Sequence, residues 1–281
     1  MPSPFDPPPG VARDAVARAL AEDLGPLGDI TAALVPAGAT VEARIRSRET
    51  GVLAGAACAT EAFRQVGPAT EVTWHRSDGD DLAPGDVAAT VAGPLASVLT
   101  AERTALNFLC HLSGVASLTR RYVDAARQGS PTVQVWDTRK TLPGLRALEK
   151  AAVRAGGGAN HRGTLSDMVL VKDNHLAGIG ITAAVRRARE LWPARTVEVE
   201  CDRPEQVAEA VEAGANLVLL DNMTPDEVRA CVELVGGRAL VEVSGGISLD
   251  TIAAYAAAGA DLVSTSKITQ SAPAFDLGLD L

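Results

Sequence analysis

The chain reads as an α/β protein: a mixed N-terminal region followed by serial strand–helix units that curl into a barrel. Three observations predict this. From residue 133 onward, six short apolar runs alternate with stretches of helical length. A charged or Gly-rich group stands after nearly every run, which favours a barrel with its ligand on the axis over an open doubly wound sheet. The chain has 281 residues, 47% of them apolar, enough to bury a core for two domains or for one barrel with an appendage.

The elements follow in order. The first ten residues hold five Pro and one Gly and read as a loose arm. Val11–Leu24 has apolar residues at helical spacing and ends at Gly25-Pro26. Residues 41–48 alternate apolar and polar as a half-buried strand does. Residues 56–66 read as a helix, and 71–75 and 87–91 as strands flanking the turn APGD at 83–86. Residues 97–128 are mostly helical, with a break expected at Ser113-Gly114.

Strands are then expected at 133–136, 168–171, 196–199, 217–220, 240–243 and 262–264. The helices between them fall at 143–155, 182–192, 204–213, 225–235 and 249–258. Pro204 and Pro225 suit first helical positions, and Gly214 and Gly259 suit helix ends. The tail, 269–281, is expected to return to the first domain, giving domains of 1–114 plus the tail and 115–268.

Composition excludes several classes. Aromatics are only 3% of the chain, so Ala, Val and Leu must fill the core. A formal net charge of −9, a pI near 5.0 and the lack of a basic stripe argue against nucleic acid. Cys58, Cys110, Cys201 and Cys231 show no metal-type spacing and read as reduced thiols of a cytoplasmic protein. The Pro-rich start has neither the basic region nor the apolar core of a signal peptide. No run approaches the ~18 apolar residues of a membrane span.

The strand ends carry the chemistry. In order they offer Arg139 and Lys140, His161 and Arg162 in a loop, Lys172, Glu200, Asp221, and Ser244-Gly245-Gly246. Cations concentrated in an acidic protein imply a pocket for a small, strongly negative ligand. Arg pairs carboxylates bidentately and suits a substrate with two acidic groups. Two carboxylates on neighbouring strand ends suit Mg²⁺, which takes a few carboxylates plus waters and phosphates. A Ser-Gly-Gly turn opening a helix offers N–H groups to a phosphate.

Each group alone has a plainer reading. Glu200 and Asp221 also fit as helix caps, Arg139-Lys140 as a solvated pair, and His161 and His175 as structural histidines. Lys172 also suits a Schiff-base nucleophile. Together the plain readings fail, because strand ends rarely gather so many charges without a ligand. The joint reading is an enzyme that joins a dianionic acid to a phosphorylated, Mg²⁺-bound partner.

At these residues the chain resembles the quinolinate phosphoribosyltransferase family. The matching segments are EDLGPLGDIT (22–31), AERTALNFLCHLSGVAS (101–117), DTRKTLPGLRALEKAAVRAGGGANHR (137–162), LVKDNH (170–175), VEVEC (197–201), LLDNM (219–223) and VEVSGGI (241–247). They span essentially the full length, in order. The resemblance implies an N-terminal α/β sandwich and an incomplete α/β barrel of about seven strands. It implies a homodimer, or a higher oligomer built from such dimers, in which Arg103 reaches the neighbouring subunit's site.

By the same resemblance, Arg103, Arg139, His161, Arg162 and Lys172 surround the quinolinate carboxylates. Lys140, Glu200 and Asp221 lie toward phosphoribosyl pyrophosphate and its Mg²⁺, and Ser244, Gly245 and Gly246 toward the 5′-phosphate. One segment departs from the family pattern: TSKITQ (265–270) stands where relatives carry VGALTH, so Ser266 replaces a Gly and Gln270 a frequent His. A Ser266 amide still suits phosphate, and Lys267 adds charge.

The implied reaction is attack of the quinolinate nitrogen on C1 of the ribosyl group, loss of pyrophosphate, then decarboxylation to nicotinate mononucleotide. The alternatives are a divergent pyrophosphorylase-like relative with another acceptor, or a Lys172 Schiff-base barrel enzyme. The full set of Arg103, Arg139 and Arg162 speaks against the first.

Overall fold

The structure is a computed structural model that describes residues 5–8 and 10–281. The expected loose arm lies partly outside those residues; within them, the Asp6 carbonyl accepts from Arg154 Nη2 at 3.1 Å.

Helix α1 (Val11–Leu24) runs between Gly10 and Gly25, both at positive φ, and buries Ala15, Val16 and Leu20. Strand β1 (Thr40–Ser47) buries Ala43, Ile45 and Ser47, the alternation its sequence predicts. A short β2 (Gly51–Val52) precedes α2 (Ala56–Val66), whose inner face is Cys58, Ala59, Ala62 and Phe63. Asp78 caps α2, accepting from the N–H groups of Gly55 at 3.0 Å and Ala56 at 3.1 Å. Then come β3 (Glu71–Trp74), β4 (Asp81–Leu82), β5 (Val87–Pro94) and the 35-residue α3 (Leu95–Gly129).

Helix α3 is unbroken at Ser113-Gly114, contrary to the expectation. Both residues serve close packing instead. Ser113 Oγ accepts from Ala54 N and donates to Ala54 O. A Cβ on Gly114 would lie 2.0 Å from the Pro273 carbonyl oxygen. The glycine is there for a neighbour's backbone, not to end the helix.

The second half alternates as predicted: β6 (Gln134–Trp136), α4 (Arg146–Ala155), β7 (Val169–Val171), α5 (Ile181–Leu191), β8 (Val197–Cys201), α6 (Pro204–Glu212), β9 (Leu217–Asp221), α7 (Pro225–Val235), β10 (Leu240–Ser244), α8 (Ile252–Ala257), β11 (Leu262–Ser264), α9 (Lys267–Gln270) and β12 (Leu277–Asp280). Pro204 and Pro225 open their helices, and Gly214 and Gly259 follow theirs at φ 88° and 101°. Helix α4 starts three residues later than expected, because Pro143-Gly144 form a turn with Gly144 at φ 80°.

The chain divides into two compact units: residues 1–120, 141–157 and 267–281, and residues 121–140 and 158–266. In the first, an antiparallel sheet has the order β12-β1-β5-β3, so the tail returns as a strand beside β1. In the second, six parallel strands run β6-β11-β10-β9-β8-β7. A single parallel bridge, Trp136–Ala159, sets a seventh extended segment beside β6. Among the described residues no pairing joins β6 to β7, so the barrel is incomplete, as expected.

Candidate active site

Side chains on a strand alternate between its faces, and in a barrel one face is the axis. In β8, Val197, Val199 and Cys201 are fully buried on one face, which leaves Glu198 and Glu200 on the other. The same parity gives Leu219 and Asp221 in β9, Glu242 and Ser244 in β10, Ser264 in β11, and Leu170 with Lys172 at the end of β7. All nine line one cavity of about 320 Å³ except Glu198, which is fully buried beneath it. Thr138, Arg139, Lys140, His161 and Arg162 complete the lining. That volume suits a small ligand.

The cationic wall is fixed from below. Asp137, fully buried at the end of β6, accepts from the His161 N–H at 2.9 Å and from Asn160 Nδ2 at 2.7 Å. These bonds hold the loop carrying His161 and Arg162 against the strand that carries Arg139. Burial lowers the Arg162 guanidinium pKa, and the neighbouring Arg139 lowers it further. Two cations that disfavour each other in a half-buried pocket form an anion site, because a dianion relieves the repulsion.

The opposite wall is acidic. Glu200 pairs with Lys172 Nζ. Asp221 is raised first by burial and then by the Glu200 charge, with Lys172, Asn222 and Lys140 acting the other way. Two oxygen-donor carboxylates on neighbouring strand ends fit a hard divalent cation, so this donor set suits Mg²⁺.

At the floor of the cavity, His161 Nε2 lies 3.1 Å from Glu198 and 3.7 Å from Glu242, both fully buried. These three form the one group of metal-type donors among the described residues. The tautomer opposes a metal there. The Arg162 N–H donates to His161 Nδ1 at 2.7 Å, so the ring proton sits on Nε2 and points at the carboxylates.

Burial raises Glu198 to about 7 and Glu242 to about 8. For Glu242 the Glu198 charge adds to the effect of burial, and His161 acts the other way. A carboxyl raised above its ordinary value stabilises the fold most below that value. The contribution fades as pH rises through the folded value. Wild-type protein should therefore lose thermal stability from about pH 4.5 towards pH 8. Glu242→Gln should show a flatter profile and melt higher than wild type at pH 9. Parallel profiles for the two proteins would contradict this.

Of the residues expected from sequence, Arg139, Lys140, His161, Arg162, Lys172, Glu200, Asp221 and Ser244 meet at the one cavity. Gly245, Gly246 and Ser266 do not line it; Ser264 does. The two glycines form the turn after β10, at φ 90° and 64°. Arg103 belongs to the other unit, exposed on α3, beside a cavity of about 410 Å³ that also includes Arg48, Glu102 and residues 274–279. His175 accepts from the Lys172 N–H at 3.0 Å and shapes the turn after β7. Asp137, Glu198 and Glu242 were not expected. The signal for the glutamates was the strict alternation of VEVEC and VEVS, which sets Glu198 and Glu242 on the same face as Glu200 and Ser244.

Residues 29–113 match the family described as quinolinate phosphoribosyl transferase, N-terminal domain, and residues 115–280 match its C-terminal domain. A curated nicotinate-nucleotide pyrophosphorylase [carboxylating] of Mycobacterium leprae is 43% identical over 277 residues, covering 96% of this chain and 97% of that protein. A probable enzyme of the same name from Bacillus subtilis is 39% identical over 262 residues, covering 92% and 90%. The solved nicotinate-nucleotide pyrophosphorylase from Francisella tularensis superposes with a TM-score of 0.92 at 37% identity, covering 99% of this chain and 97% of that one. With matches along both halves and a site built on the residues of its motifs, the chain belongs to the quinolinate phosphoribosyltransferase family.

Proposed function

We propose that the protein transfers the phosphoribosyl group of phosphoribosyl pyrophosphate to quinolinate with decarboxylation. The products are nicotinate mononucleotide, CO₂ and pyrophosphate, in the de novo synthesis of NAD in the cytoplasm. The observation that carries this reading is one cavity with Arg139 and Arg162 on one wall and Glu200 and Asp221 on the other. A dicarboxylate suits the first wall. A sugar that develops positive charge suits the second, whose carboxylates would also hold Mg²⁺.

Arg139 and Arg162 bind the quinolinate carboxylates, with Lys172 beside them. His161 borders quinolinate through its ring, both its nitrogens being engaged by Arg162 N and Glu198. Lys140 faces the departing pyrophosphate. Glu200 and Asp221 offset positive charge at C1 and would hold Mg²⁺. When bound, Mg²⁺ neutralises the charge that builds on the leaving group. Ser244, Gly245, Gly246 and Ser266 face the 5′-phosphate. After ribosyl transfer the C2–carboxylate bond breaks with loss of CO₂; the electron pair left on C2 is stabilised by the adjacent pyridinium charge and takes a proton from water. The Lys172 amine is engaged by the Glu200 carboxylate, which opposes a Schiff-base reading.

Formation of nicotinate mononucleotide from quinolinate, phosphoribosyl pyrophosphate and Mg²⁺ tests the assignment, with nicotinic acid as the control acceptor. Nicotinic acid should be scarcely used, since it leaves part of the cationic wall unpaired. Equal rates with both acceptors would defeat the reading.

The working form is a homodimer in which Arg103 enters the neighbouring subunit's site. Its exposed position on α3, in the unit that does not hold the cavity, supports this. Arg103→Ala and Lys172→Ala proteins should each be inactive and should regain partial activity when mixed, because a mixed dimer holds one intact site. Absence of recovery, with subunit exchange demonstrated, would remove Arg103 from that role.

A further inference from the structure

Asn222 has positive φ, 58°, the one non-glycine to do so among the described residues. It follows Asp221 at the end of β9, where the chain leaves the strand. Asn tolerates the left-handed region better than most side chains. Three contacts tie it to both sides of the cavity rim. Its Nδ2 donates to Asp221 Oδ2 at 2.8 Å, and its backbone N–H donates to the Ser244 carbonyl at 3.1 Å. Its Oδ1 rests against Gly245, where an added Cβ would stand 2.3 Å from that oxygen. Gly245, at φ 90°, is therefore bare on the side that Asn222 occupies.

We infer that Asn222 is a positioning residue that fixes the Asp221 carboxylate relative to the Ser244-Gly245-Gly246 turn. Through it, the carboxylate that offsets charge on the sugar and the turn that faces the sugar phosphate keep one spacing. This rests on the phosphoribosyl transfer proposed above. An ionised carboxylate with one oxygen held by an amide donor keeps the other free to face the ligand. A carboxylate without that donor swings about its χ2 bond, which is broad and two-fold.

Asn222→Gly keeps the backbone conformation and deletes the carboxamide, and Asn222→Asp keeps the shape and the tolerance of positive φ but loses the donor. Both should fold with melting temperatures close to wild type. In both, kcat should fall and the KM for phosphoribosyl pyrophosphate should rise, together by roughly 10- to 100-fold in kcat/KM, the scale for a hydrogen bond to a charged group. The KM for quinolinate should stay unchanged, a split that a merely structural role does not produce.

Calorimetric titration with phosphoribosyl pyrophosphate and Mg²⁺ alone should show the weaker affinity without any turnover. Wild-type kinetics and affinity in both variants, or an equal rise in the quinolinate KM, would overturn the role of Asn222. Failure of the wild-type protein to form nicotinate mononucleotide, with its phosphoribosyl pyrophosphate binding intact and weakened by these variants, would instead sink the assigned reaction alone.

Discussion

Asp221→Asn is expected to lower turnover on the order of 10²-fold or more, the scale for a preorganised electrostatic group. The amide keeps the volume and the side-chain direction, so the cavity stays intact. What disappears is one of the two negative charges proposed above to face Mg²⁺ and the sugar cation. The substitution also removes the group that burial, and after it the Glu200 charge, holds above the ordinary aspartate value. Quinolinate binding, measured by itself, should hardly change, because its carboxylates gain nothing from a nearby anion. Full turnover in Asp221→Asn, or lost quinolinate binding in a folded protein, would break the division between the two walls. Steady-state rates alongside a quinolinate titration give both answers.

The second large effect lies on the other wall and has opposite signs for binding and for stability. Arg162→Met removes a guanidinium that burial and Arg139 both disfavour. Quinolinate affinity should fall by about 2–5 kcal/mol, the cost of truncating one partner of a desolvated charge pair. By RT ln K this is about 30- to several-thousand-fold in Kd. The ligand-free protein should melt no lower than wild type, because its repulsion with Arg139 is gone. The opposing loss is the hydrogen bond from Arg162 Nη1 to the Met168 carbonyl, 3.3 Å long. Unchanged affinity, or a melting temperature that drops with the affinity, would show Arg162 to be a structural cation. Calorimetry and thermal melts on one preparation separate these cases.

Much of this site was legible because barrel chemistry sits where apolar runs stop. Arg139, Lys172, Asp221 and Ser244 each stand at or just past the end of such a run, and the structure gathers all four at one cavity. Glu198 and Glu242 escaped for the same reason. They sit inside runs, where a carboxylate looks like an interruption, and only the two-residue alternation reveals a face turned to the axis. Asp137 escaped because its work is with the Asn160 side-chain amide and the His161 backbone N–H, which no local pattern announces.

The glycine at 114 misled for a different reason. A helix-interior Gly costs stability against Ala, so a break is the natural local reading. The Pro273 carbonyl that occupies its missing Cβ lies about 160 residues further along the chain. Short β2 and β4 pair with α2 and β3 between them in the chain, and have too few residues to show any period.

The antiparallel sheet of the first unit has a kinetic consequence. Its strand β12 pairs Leu277 with Ser47 and Asp280 with Arg44, so the partners are separated by more than two hundred residues. Every strand of the parallel sheet is synthesised between them. On a ribosome, β1 must therefore wait with one edge unsatisfied until residue 280 has emerged, long after β5 has covered its other edge. Closing so long a loop costs little more entropy than closing a shorter one, because the dependence is logarithmic. It does delay the event, since contacts distant in sequence form late. Through that interval an uncovered strand edge is open to the wrong partner. Chaperone dependence and aggregation during synthesis should therefore track the β1–β12 seam more closely than the barrel strands.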